Sequence, residues 1–461
     1  MTLIVTSDFA LNRVVAPRLP AATKQYDENY INQLNNVLRL YFNQLDNIIG
    51  QLMATATSLP VTFPPNSVDA FGRLRVGAPY SLFDSQSRYA ADNQFSTSTS
   101  GTGSTTFNSN QSSVSMSVTA GGVGSVVRQT YRNMLYQPGK SLLVLATFVM
   151  DTSDSVNLSQ KVGYFNSQNG LFFQKTDGTK SFTLRSYTSG AVDDTRTVSQ
   201  ANWNGDKLDG TGASGLTLDL SHPQILWMDF EWLGVGSVRC GFIINGEYIT
   251  CHTFNTANVY GTTVYMTTAI LPIRYEITST SAVAASLTQI CSSVISEGGF
   301  EAISVEHVAR RTSIFTNIDT AANFYPIVSI RLASTALGAV VLPNRIQFQP
   351  TTLQNYEIAL IKNPTLTGAS WTATPDDSNV EYDVTATAIS AAGTIVQTGY
   401  ISSAGGGGQA STIAPTGFNW DEQIGVSLTN VSDIYTLGVR TISGATKGDG
   451  VGSISFYDLT Q

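Results

Sequence analysis

The stretch NWNGDKLDGTGASG, residues 202–215, gathers Asn202, Asn204, Asp206 and Asp209 among four glycines. Oxygen-rich, glycine-rich loops of this kind hold calcium or cradle phosphate. A helix–loop–helix calcium site needs oxygens at alternate positions and a glutamate at the twelfth. Here Asp206 and Asp209 are three apart, no Glu follows in the loop, and Asp219 is the nearest acid that could complete an irregular cage. A phosphate loop must open a helix after a strand. GTGASG spells the glycine pattern, but LTLDLS follows with strand alternation, so phosphate chemistry falls away. The remaining reading is a turn in a β-protein. In it Asn204-Gly205 and Asp209-Gly210 are the turn dipeptides, Trp203 is the anchor, and Asp206, Asp209 and Asp219 are weak metal candidates. No cofactor is expected.

Elsewhere the chain offers little for catalysis. His222, His252 and His307 have no metal-ligand spacing and no GxSxG elbow is present. Asp229 and Glu231 are two apart in QILWMDFEW, which puts their Cα atoms roughly 6.6 Å apart on one strand face. Period two places Leu226, Met228, Phe230 and Trp232 inward, with Trp227, Asp229 and Glu231 outward. Such a face could cleave or merely hold a glycan, and the expectation is a protein that is not an enzyme. Candidate glycan contacts are Trp203, Asp206, Asp209, Trp227 and Trp371.

The three cysteines admit no complete disulfide framework. In VRCGFIINGEYITCH the Asn245-Gly246 dipeptide predicts a type I′ hairpin. Counting outward from it pairs Cys240 with Cys251 at a hydrogen-bonded position, where the Cα atoms lie about 5.5 Å apart and the side chains diverge. Both thiols are expected to be buried and reduced.

These residues must be carried by a largely neutral framework. Of 461 residues, 42% are hydrophobic and only 13% charged, about half the usual charged share. Ser, Thr, Asn and Gly fill the difference, as in β-rich proteins with neutral polar surfaces. A net charge of −8 with no basic run argues against duplex nucleic-acid binding. The N-terminus reads as neither signal peptide nor membrane span.

Along the chain, residues 1–26 read as an extended arm. A helix begins near Asp27. Ile31, Leu34, Leu38, Tyr41, Leu45, Ile48 and Leu52 repeat at 3-4-3-4-3-4 spacing, three unbroken heptads that predict oligomerisation, with a trimer favoured. Docking on a neighbouring protein is the alternative. Pro60, Pro64 and Pro65 end the helix. The pattern then turns to short alternating runs, with 94–112 and 403–410 reading as low-complexity loops and 424–431 as a strand. The predicted fold is mainly β: arm and helix over 1–60, then two jelly-roll-like β-sandwiches over 61–300 and 301–461.

Several stretches resemble β-rich virion structural proteins of tailed phages. They include VDAFGRLRVGAPYSLFDSQSRY (68–89), VRQTYRNMLYQPGKS (127–141), VGYFNSQNGLFF (162–173), the run 202–255, LPIRYEI (271–277) and SSVISEGGFE (292–301). The resemblance implies a tail-fibre or baseplate component with a lectin-like, concanavalin-type sandwich, made in the host cytoplasm and carried on the virion. Its partners would be other virion proteins, copies of itself and a host-surface glycan. A capsid-decorating or head–tail connector protein, or a glycan-cleaving tailspike, are the alternatives. Within FGRLRV, Phe71 and Leu74 would bury while Arg73 and Arg75 meet Asp84 and Asp92.

Overall fold

The computed structural model describes residues 17–21, 24–25, 27–58, 79–301, 303–319, 324–375, 377–402, 411–413, 419–442 and 447–460; side chains at 48, 50–58 and 411–413 lie outside that description. The chain divides into two compact units, Met1–Pro64 and Pro65–Gln461.

Among the described residues of the first unit a helix runs Glu28–Ser58. It starts at Asp27, whose carboxylate accepts the Asn29 N–H at 2.9 Å while its carbonyl accepts the Ile31 N–H. That satisfies donors a helix start otherwise leaves bare. Among its described side chains none is buried. Leu34, Leu38, Tyr41 and Leu45 of the heptad stripe are half-buried and Ile31 is 36% exposed. Phe42 and Ile49 beside the stripe stay open. The Ile48 and Leu52 side chains lie outside the described ones, as does the whole of FGRLRV.

In the second unit every strand pair among the described residues is antiparallel. Among the described residues the larger sandwich opposes two sheets. One runs in the order Glu247–Phe254, Val238–Ile244, Gln224–Phe230, Leu142–Met150, Ala285–Ser296, Ser113–Val118, Ser104–Asn108, with Tyr80–Gln86 also on Ala285–Ser296. The other runs Asp193–Ser199, Thr179–Ser186, Gly170–Thr176, Leu158–Phe165, Ile273–Ser279, Gly124–Thr130, Phe95–Gly101. Period-two alternation puts Met116, Phe148, Leu226, Met228 and Phe242 of the first sheet against Val162, Phe173, Phe182 and Tyr275 of the second, all essentially inaccessible. Phe173 sits at the middle, its ring 5.2 Å from Phe242 and 5.4 Å from Phe182. Burying each such side chain contributes about 1.5–3 kcal/mol.

The smaller sandwich repeats the plan with a sheet built on Val341–Pro350 and Gly448–Asp458 facing one built on Tyr325–Leu332, Ile434–Thr441 and Asn355–Lys362. Its own core holds Phe348, Tyr356, Leu437 and Ile454.

A strap over 419–428 ties the sandwiches together. It opens in a single 3-10 turn, Trp420–Glu422, capped by Asn419. Trp420 donates its indole N–H to the Tyr80 hydroxyl at 2.9 Å and meets Phe300 edge-on. Gln423 donates to the Asn133 carbonyl, and the Val426 N–H to that of Tyr131. Leu135, Val340, Leu342 and Leu459 add a small apolar cluster shared by both sandwiches.

Three sequence expectations need correction. The Thr/Ser-rich run 94–112 is not a loop: it forms Phe95–Gly101 and Ser104–Asn108, since Thr fits a pleated surface and Phe95 is buried. Residues 424–431 form the end of the strap and the turn after it, with one isolated bridge, Val426 to Ser432, and not a strand. The hairpin at Asn245-Gly246 has the predicted positive φ values, 54° and 82°, and the predicted pairs as far as Gly241 with Thr250. A bulge then shifts the register, so Cys240 faces His252 and Cys251 is the extra residue. Cys240 and Cys251 are buried free thiols and Cys291 an exposed one.

Candidate functional site

The loop 202–215 is held from within. The Asp206 carboxylate accepts the Leu208 N–H at 2.8 Å and the Ser214 N–H at 2.6 Å, closing the loop on itself. Gly212 is required there, because a Cβ would fall 2.1 Å from Asp206 Oδ1. Partial burial opposes ionisation of Asp206, but the two backbone donors outweigh it and hold the carboxyl below the usual range. Asp209 accepts from Thr211, and Asp219 from Ser221 and His222, each within its own turn. The structure therefore does not bring the three acids together. Among the described residues no group of three His, Cys, Asp or Glu side chains could hold a metal ion.

The indoles chosen as glycan contacts are mostly inside. Trp203 is 2% exposed, packed on Phe182 with its N–H on the Val198 carbonyl. Trp227 is indeed on the outer face of its strand, yet only 1% exposed. Gly241 on the neighbouring strand leaves room for the ring, Tyr248 covers it edge-on, and its N–H reaches the Ile249 carbonyl. Neither can touch a ligand without unpacking the sandwich. Trp371 is half-buried under the Arg331 guanidinium, 4.2 Å from the ring centroid.

Asp229 and Glu231 are likewise buried, at 0% and 1% exposure. Arg239 clamps Asp229 with both Nε and Nη2. A fully buried carboxylate locked in a bidentate pair is not presented to a substrate. The outward face predicted by alternation exists, but the Arg239 and Tyr248 side chains roof it.

An open cleft of about 940 Å³ lies between the sandwiches. It is lined by Gln129, Tyr131 and the 166–169 turn of the larger sandwich, and by 334–339 and Asn430 of the smaller. Some of its polar groups are already engaged: Asn169 with Thr267, and Arg274 with Glu276 and Gln129. The side chains of Asn133, Gln168, Ser334, Thr335 and Asn430 spend no hydrogen bond on the described chain. Each can donate and accept. Arg274 brings the one formal charge among the lining residues, and Glu276 neutralises it at 2.7 Å. Tyr131 supplies an aromatic ring. Sequence reasoning missed this cleft because its residues come from distant segments, Ser98 to Thr460. The one available signal was the surplus of Asn, Ser and Thr over charged residues.

No family model and no curated relative matches the sequence. Solved structures similar to the chain include lectin-like β-sandwiches. The Emp47p carbohydrate recognition domain shares 11% identity at a TM-score of 0.30, covering 47% of this chain and 95% of that one. Arcelin-5, a lectin-like defence protein of Phaseolus vulgaris, shares 8% at 0.30, covering 47% and 98%. The exoplasmic/lumenal domain of VIP36, in a form bound to calcium and Man3GlcNAc, shares 11% at 0.28, covering 45% and 88%. Likenesses this distant carry neither a ligand nor a site to this chain. No helix among the described residues is long and apolar enough to cross a membrane.

Proposed function

We propose that this chain is a non-catalytic attachment protein that holds a neutral glycan in the cleft between its sandwiches. The observation that carries the reading is the chemistry of that cleft. It combines unspent amides and hydroxyls, a neutralised arginine and one aromatic ring in about 940 Å³. Sugar hydroxyls donate and accept together, so amide side chains match them while a bare ion would not be satisfied. The ring of Tyr131 offers an apolar platform with a polar tip for the sugar face. The strap fixes both walls, so little ordering is left to oppose binding. Among the described residues lining the cleft none is an acid.

The test is a panel of neutral oligosaccharides measured by calorimetry against the intact chain and Tyr131→Ala. We expect saturable binding to at least one sugar and at least a tenfold loss in the variant, about 1.4 kcal/mol. Absence of binding, or binding indifferent to Tyr131→Ala and Asn430→Ala, contradicts the reading.

A second reading concerns assembly and rests on the helix. Three heptads whose described side chains all stay at least partly exposed favour self-association, with exposed Phe42 and Ile49 widening the seam beyond a dimer. Together with the resemblance of 68–301 to phage virion proteins, this supports a tail-fibre or baseplate component carried on a virion. Removing residues 1–60 should leave a folded chain whose mass in solution is that of one copy. A trimer that survives the deletion sinks this reading.

A further inference from the structure

A second pocket, of about 740 Å³, lies against the hairpin of Gly170–Thr176 and Thr179–Ser186. Lys175 and Lys180 both line it, and the register sets them directly opposite each other. Opposed residues of an antiparallel pair share a face, and like charges there are destabilising. Threonine at 180 would suit the hairpin better, so the pair is a local conflict in the sheet.

The two ammonium groups are not equivalent. Lys175 is 4% exposed and fully committed: its Nζ donates to the Ser153 carbonyl at 2.6 Å and the Asp151 carbonyl at 3.3 Å, and pairs with Asp154 at 3.1 Å. Lys180 donates to the Leu218 carbonyl at 3.0 Å, its one acceptor among the described residues, and two protons remain. Burial, then the Lys175 charge, pulls the Lys180 ammonium below the usual lysine range. Two acids also line the pocket. Asp154 is spent on Lys175 and 80% exposed, and Asp219 is 56% exposed and turned onto Ser221 and His222. Both still act on the Lys180 ammonium, but largely across solvent, which weakens them. Thr152, Thr179 and Thr217 also line the pocket.

We propose that this pocket is an anion site, in which Lys180, backed by Lys175, receives a sulfate or carboxylate group. It shares no lining residue with the inter-sandwich cleft, so it extends the chain's ligands to acidic groups without depending on the neutral-glycan reading. The anion could arrive free or as a substituent of an acidic saccharide; the recognition chemistry is the same.

Sodium sulfate, at ionic strength held constant with chloride, is the first probe. It is titrated into the full chain and read through the lysine side-chain resonances and thermal stability. A sulfated oligosaccharide and its desulfated counterpart are the second arm. We expect saturable sulfate binding that moves Lys180 and falls at least tenfold in Lys180→Gln. It should tighten in Asp154→Asn, which removes a competing carboxylate. Tighter binding of the sulfated sugar than of inorganic sulfate assigns the saccharide as source, and equal binding assigns the free ion. Sulfate that fails to saturate, or binding untouched by Lys180→Gln, overturns the proposal. Lys180→Gln relieves the charge conflict, so it should fold and its result be interpretable.

Discussion

Two pockets of the larger unit are built in opposite ways. The cleft is neutral and assembled from residues 98 to 460, and its two walls are held together by the strap 419–428 and by the Leu135, Val340, Leu342 and Leu459 cluster. The hairpin pocket is charged and local, with its lysines set by one register of one hairpin and its far wall by the loop that follows residue 215. One site is thus a property of tertiary packing and the other of strand pairing. They should fail separately.

The strongest way to break the comparison is at the strap. Trp420→Ala removes the contacts to Tyr80 and Phe300 and should cost about 2 kcal/mol, below the range for a fully buried tryptophan because this ring is partly exposed. Urea unfolding should show that loss. Oligosaccharide binding should fall with it, while sulfate binding at the hairpin holds. Equal loss at both sites would mean that the pockets are not independent.

A milder perturbation uses pH. Burial first, and then the Arg196 charge, depress the His252 imidazole to about 4 from its usual 6.5. His252 also accepts the Asn204 N–H through Nδ1. A depressed pKa means that the unfolded chain binds the proton more readily. The stabilisation is therefore complete above pH 6.5 and is lost as pH falls towards 4. The urea midpoint should drop across that window and the drop should flatten in His252→Gln. A midpoint equally steep in the variant would assign the pH dependence to other groups.

The smallest effect is a gain. Lys180→Thr should stabilise the chain by about 0.2–1 kcal/mol, since it removes a like-charge pair and adds a β-branched residue. A loss of stability instead would show that the Leu218 contact outweighs the repulsion.

Strand alternation made most of the β framework readable from residues alone, and the Asn245-Gly246 turn was legible to the pair. What failed did so for identifiable reasons. Counting outward from a turn cannot foresee a bulge, so Cys251 and His252 exchanged places relative to Cys240. Period two says which way Trp227 and Asp229 point, but not that Arg239 and Tyr248 roof that face. Asp206 looked like a ligand because its spacing to glycines was visible, while its role in closing its own loop on Leu208 and Ser214 was not. The cleft left no local pattern, since Tyr131, Gln168 and Asn430 acquire meaning only after the sandwiches dock.

The central claim is that this cleft holds a neutral glycan. It is tested most directly by titrating the intact chain, labelled at Asn and Gln side-chain amides and at lysine side chains, with a neutral oligosaccharide that binds. The account predicts saturating shifts at Asn133, Gln168 and Asn430, with Lys180 unmoved. Saturating shifts elsewhere with those three amides silent would contradict it.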